Sequence, residues 1–202
     1  MKKAFTLIVL IVTPTMALAQ GTVILQNQTG LVKQWTSWSD STLISVPKNG
    51  GYVELIAAPV GTALVGEALM YSSLSGFLAV NPGWAVAGGQ AYPIAFGAGL
   101  FNCGTVTINN IAAGASAEYF ILAWTGASTT WDAALASGIG FLGQSAIATT
   151  ATGDPTATPV PGFPVSLRPT FAGIFFSPIP EPTSFALAGL GLAALLVFRH
   201  RR

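Results

Sequence analysis

Three kinds of side chain here could do chemistry, and their placement limits what that chemistry can be. Six acids lie between residues 20 and 179: Asp40, Glu54, Glu67, Glu118, Asp132 and Asp154. Two carboxylates on facing strands suffice for glycoside hydrolysis, and Glu54, Glu67 and Glu118 fall in or near strand-like segments. No motif selects a pair among them. The sole histidine, His200, is the third residue from the C-terminal end, and the sole cysteine is Cys103. A body of that composition builds no histidine-dependent triad, no Cys–His dyad and no His-based zinc site. A lone thiol closes no internal disulfide, so Cys103 in "LFNCGTVTI" is expected to be a small buried apolar residue, the alternative being a bridge between two molecules. Asp40 in "WSDST" and Asp154 in "TGDPT" stand without calcium-loop spacing. No metal and no cofactor are therefore expected.

Aromatic rings stack on the apolar faces of sugars while polar neighbours fix orientation. Trp35 and Trp38 in "KQWTSWSDST", with Trp84 in "NPGWAVAGG", lie in polar, turn-rich contexts. They are the candidate carbohydrate contacts. The alternative is that all five tryptophans are core or loop anchors, with Trp124 in the core and Trp131 packing a short helix.

The two ends carry signals of a different kind. Met1-Lys2-Lys3, an apolar stretch to Val12, and "ALAQ" ending in a cut after Ala19 make the three parts of a secretory signal peptide. At the other end, Phe185 to Phe198 holds no charge and no polar side chain. Counted from Thr183 it is shorter than the roughly 17 residues of a minimal membrane-spanning helix. The cations Arg199, Arg201 and Arg202 follow as a stop expected on the cytoplasmic side. Just before the apolar run, Pro180 and Pro182 flank Glu181, the one charge between Arg168 and Arg199. The two prolines hold that stretch extended and accessible.

Pro-Glu-Pro, a brief Gly/Ala/Leu-rich helix and a terminal arginine cluster together resemble the PEP-CTERM sorting signal. The resemblance implies that an exosortase reads Pro180, Glu181 and Pro182 and removes the helix, after signal peptidase has removed residues 1–19. It also implies export across the inner membrane, transient anchoring by the C-terminal helix, and a final place at the cell surface or outside the cell. The body further resembles secreted PEP-CTERM proteins at Gly21-Thr22-Val23, at Ala123-Trp124 with Trp131, and at Phe171 to Phe176. That group brings no activity with it.

Both ends removed, residues 20–176 form one expected domain, with three cations (Lys33, Lys48, Arg168) against six carboxylates. A net charge near −3 with no basic cluster gives nucleic acid no footing. Alternating or aromatic-rich runs predict strands over 21–27, 52–60, 105–111, 116–126, 143–153 and 167–176. In the third of these, Val106, Ile108 and Asn110 are expected on one face. Residues 66–74 read as a strand or a loop-side segment, and 129–137 as the one helical turn, with Thr130 or Asp132 near its start. The four prolines of "DPTATPVPGFP" (154–164) predict an extended loop across the domain. Many short strands with Gly-rich turns point to an all-β fold. The expected form is a single antiparallel, jelly-roll-like β-sandwich, flanked by a signal-peptide helix and by a sorting segment (177–202) that contains a short transmembrane helix.

The function expected from these features is that of a non-enzymatic surface or extracellular-matrix protein, structural or associated with exopolysaccharide. A carbohydrate-binding module for matrix polysaccharide is the alternative, and a carboxylate-dependent glycosidase a more distant one.

Overall fold

A computed structural model describes residues 20–28 and 32–178. The expected signal peptide (1–19) and the sorting segment, with Pro180, Glu181, Pro182, Arg199, Arg201 and Arg202, lie outside the described residues. Among the described residues no helix is long and apolar enough to cross a membrane.

In chain order the elements begin with β1 (Gln20–Gln26), β2 (Val32–Ser37), β3 (Asp40–Ser45) and β4 (Gly51–Pro59). A single 3-10 turn (Ala68–Met70) and α1 (Leu74–Val80) follow, then β5 (Ala85–Val86) and β6 (Tyr92–Pro93). β7 (Asn102–Ala112) and β8 (Ser116–Thr125), consecutive strands that join different sheets, precede α2 (Trp131–Ser137). Next come β9 (Phe141–Gln144) and β10 (Ala148–Ala151). The last elements are β11 (Val165–Ser166), β12 (Ile174–Phe175) and β13 (Ser177–Pro178).

β4 and β8 are the spine. They pair antiparallel along their whole length, from Gly51 opposite Thr125 to Pro59 opposite Ala117. Their sheet runs β13-β9-β8-β4-β5, with β10 beside β8 and β6 beside β4. Two three-stranded sheets, β11-β1-β7 and β12-β2-β3, complete the molecule. Side chains alternate across a strand, so the spine has two faces to bury. Val53, Leu55 and Ala57 join Tyr119 and Ile121 in a cluster shared by all three sheets, against Val23, Val32 and Val106. On the opposite face Ile56, Phe120, Leu122 and Trp124 pack under Phe77 of α1 and Trp131 and Ala134 of α2. A Val, Leu, Ile or Phe side chain among these stabilises by about 1.5–3 kcal/mol when fully buried.

The all-β expectation holds, and its finer form is modified. The sheets are mixed, because β11 pairs parallel with β1 and β12 parallel with β2. A helical layer of α1, absent from the expectation, and α2 covers the outer face of the central sheet. The helix expected over 129–137 is α2, with Thr130 Oγ1 accepting from the Ala133 N–H as N-cap. The 66–74 segment is the 3-10 turn leading into α1, not a strand. "KQWTSWSDST" is the β2–β3 hairpin rather than loose turns. The strand expected over 143–153 is two short ones, β9 and β10, separated at Ser145. That expected over 167–176 shrinks to β12, the rest being turn and coil whose Leu167, Phe171 and Phe176 still reach the core. Asn110 does not share a face with Val106 and Ile108. A register shift in the β1–β7 ladder gives that inward place to Ile111, and Asn110 Nδ2 donates to the carbonyls of Ala57 and Gly83. The proline-rich 154–164 stretch is a loop, as expected, but a closed one: the Gly162 N–H returns to the Asp154 carbonyl at 2.6 Å.

Candidate ligand-binding surface

The three candidate tryptophans do not form one face. Trp35, on β2 opposite Leu43, is half-buried against the cluster shared by the sheets. Trp38, at the hairpin turn, is 46% exposed, its ring centroid 6.0 Å from that of Phe141. Trp84 is a correction. It is only 3% exposed, in the cluster under the helices, 5.2 Å from Phe120, and its Nε1–H donates to the Ala63 carbonyl. It lies across the central sheet from Trp35 and offers no ring to a sugar. Trp124 and Trp131 meet edge-to-face at 5.9 Å in the same buried cluster.

The acids are scattered too. Asp40 and Asp154 each accept from a threonine two residues ahead, which holds both carboxyls below their usual range. Glu118 Oε1 accepts from the Gly61 N–H, and Glu67 is exposed beside the 3-10 turn. Glu54 alone is enclosed. It is 8% exposed on the helix-covered side of β4, and Oε2 has no hydrogen-bond partner among the described residues. Burial, then the charge of Asp132, pushes its carboxyl up to about 7. Asp132 is itself committed, because Oδ1 accepts from the Leu74 N–H at 2.6 Å and so ties the start of α1 to the start of α2. Burial also pushes the half-buried Cys103 thiol up to about 12, which keeps it a thiol and a poor nucleophile. Among the described residues, no three His, Cys, Asp or Glu side chains gather to hold a metal ion.

Two surface depressions are formed by other residues. The larger, about 410 Å³, runs beside β7 past Gln20, Gly88, Tyr92, Thr105, Thr107 and Asn109. The smaller, about 270 Å³, lies where β1 ends, between Gln26, Phe96, Asn102 and Arg168. Neither is lined by a carboxylate. The floor of the smaller pocket is built by Asn27, which is 8% exposed. Its Nδ2 donates to the Gly99 carbonyl and its Oδ1 accepts from the Phe101 N–H, both at 2.8 Å. Gly99 has φ +68°, and a Cβ there would stand 2.7 Å from the Val32 carbonyl oxygen, so the turn accepts only glycine. The loop pinned this way presents Phe96 at 69% exposure. Sequence reasoning missed this place: "AYPIAFGAGLF" shows a phenylalanine among small residues, with nothing to mark it as outward. The one available sign was Arg168, the body's single arginine.

The PEP-CTERM protein-sorting motif matches residues 178–202. No curated protein and no solved structure matches the chain. The match takes in Pro180, Glu181, Pro182 and the terminal arginines, and joins the described domain at Pro178, the last residue of β13. This chain carries a β-rich domain followed directly by a PEP-CTERM protein-sorting motif.

Proposed function

We propose that this is an exosortase-sorted surface or extracellular-matrix protein whose body is structural and non-enzymatic, associated with polysaccharide outside the cell. The sorting motif over residues 178–202 carries the reading, because it marks an exported, exosortase-processed protein. The body supports it by what its surfaces are made of. The two depressions are lined by amides, hydroxyls, aromatic rings and one guanidinium, groups that suit the binding of sugars. The one enclosed acid, Glu54, lines neither. A carbohydrate-binding role is favoured by the Phe96–Arg168 pocket, in place of the dispersed tryptophans.

The test is processing in the native host. The chain is expected to be recovered from the surface or medium without its C-terminal helix. Glu181→Ala is expected to leave that helix attached and the protein in the inner-membrane fraction, as read by intact mass. Identical processing of the variant would remove the sorting assignment.

A further inference from the structure

We infer that the pocket between β1 and the 96–102 loop binds a single sugar ring bearing a carboxylate, a uronic acid within a polysaccharide. The inference rests on the polysaccharide-associated reading above and names the ligand's chemistry and its place. Four groups converge there. Phe96 supplies an exposed ring on a loop anchored by Asn27. Gln26 is oriented by donating from Nε2 to Ser166 Oγ at 2.8 Å, which leaves Oε1 as an acceptor. Asn102 Oδ1 accepts from the Gly104 N–H at 3.3 Å, which leaves Nδ2 as a donor. Arg168 is fixed at its backbone, whose N–H donates to the same Ser166 Oγ at 3.2 Å, while its guanidinium has no side-chain partner among the described residues.

Each group suits one part of such a sugar. A ring face presents C–H groups to an aromatic surface, and amides satisfy hydroxyls that both donate and accept. A planar guanidinium matches a carboxylate in two parallel bonds. One arginine alone falls short of the several cations a phosphate or sulfate cluster attracts, which favours the singly charged acid. The body's net charge near −3 gives no long-range attraction to a polyanion, so affinity rests on contact inside the pocket. The larger depression by Tyr92 lacks both a charged side chain and a fully exposed ring, and makes the weaker site.

The experiment titrates the full-length chain in detergent micelles with three probes: oligogalacturonate, the same oligosaccharide with its carboxyls reduced to alcohols, and a glutamate-rich peptide. Oligogalacturonate is expected to bind about tenfold more tightly than its reduced form, the scale of one charge-assisted contact. Arg168→Gln should remove the preference for the carboxylated sugar, so that the two sugars bind the variant alike. Phe96→Ala should weaken both sugars by about tenfold, the scale of losing an aromatic anchor. Both side chains are exposed, and unchanged thermal unfolding of the variants shows that the fold is kept. Equal binding of both sugars, insensitive to Arg168→Gln, would overturn the carboxylate assignment while polysaccharide association stands. Binding of neither sugar, or of the peptide as tightly as the uronate, would overturn the site itself. Sorting, tested separately at Glu181, would survive either result.

Discussion

A carboxyl group shut between a sheet and two helices must find a partner or hold its proton. Glu54 holds its proton, titrating near 7 instead of 4.5. The sign of the linked stability follows. Between those two pH values the folded chain keeps a proton that the unfolded chain has released, so stability falls as pH rises. Below about 4.5 the contribution is flat and favourable, and above about 7 the full cost is present. Glu54→Gln is therefore expected to unfold later than the parent at pH 8, by on the order of 2 kcal/mol, with the gap closing at pH 4. Denaturant titrations at the two pH values measure it, and an equal gap at both would show that the proton is not the cause. Asn27 argues the opposite case, a buried polar group fully used. Asn27→Ala removes one bond to Gly99 and one to Phe101, and is expected to cost about 2–3 kcal/mol. Proteolytic nicking should then begin within residues 96–100. Glu54 and Glu118 were legible as strand residues, whereas Glu67 is the N-cap of the 3-10 turn. The enclosure of Glu54 was not, because it depends on two seven-residue helices packing over β4.

At the scale of elements, what could be read was whatever the local pattern decides. β4 and β8 are aliphatic- and aromatic-rich runs, each interrupted by one glutamate, and α2 has a threonine cap with αL Gly138 at its end. α1, "LSGFLAV", carries a glycine and no charge, so its own propensity announces nothing. It exists because Ser73 Oγ accepts from the Gly76 N–H, Asp132 accepts from the Leu74 N–H, and Phe77 is buried. Part of its N-terminal satisfaction thus comes from 58 residues away. The short parallel pairs of β11 and β12 are likewise products of where tertiary packing lays the chain, with only two residues each to pattern. Gly51 shows how a correct sign can be misread. "NGG" reads as a turn, yet Gly51 is the first residue of β4, and a Cβ there would lie 2.1 Å from the Trp124 carbonyl oxygen. The two spine strands meet that closely only with glycine at this point. Gly51→Ala is expected to destabilise by more than about 2 kcal/mol, the scale of core overpacking. It should also lower the amide-exchange protection of Tyr52 to Val53, where the ladder would be forced apart. Unchanged protection there would mean that the backbone absorbs the methyl elsewhere.

The whole molecule joins its β-rich domain to its sorting motif with almost no chain between them. β13 pairs Ser177 with Leu142 and Pro178 with Phe141, so the central sheet holds the body's last described residues. Pro180 follows two residues later, within about 7 Å of that edge even if fully extended. An enzyme that reads Pro180, Glu181 and Pro182 must therefore work against the folded domain or wait for β13 to leave its edge. The pairing that β13 must give up is two residues long, whereas β12 behind it is held beside β2 and Phe176 is fully buried. Opening is thus expected to stop at Phe176, a local release of a terminal strand rather than global unfolding. A flexible Gly/Ser spacer of about eight residues inserted after Pro178 would reach roughly 15 Å on average, and would supply the same access without any opening. Release of the C-terminal segment is then expected to proceed faster in the spacer variant than in the parent, followed by pulse-chase and intact mass in the native host. The difference should shrink when Phe176→Ala loosens the parent's own terminal segment. Equal rates in all three chains would mean that the sorting enzyme acts before this edge of the sheet has formed.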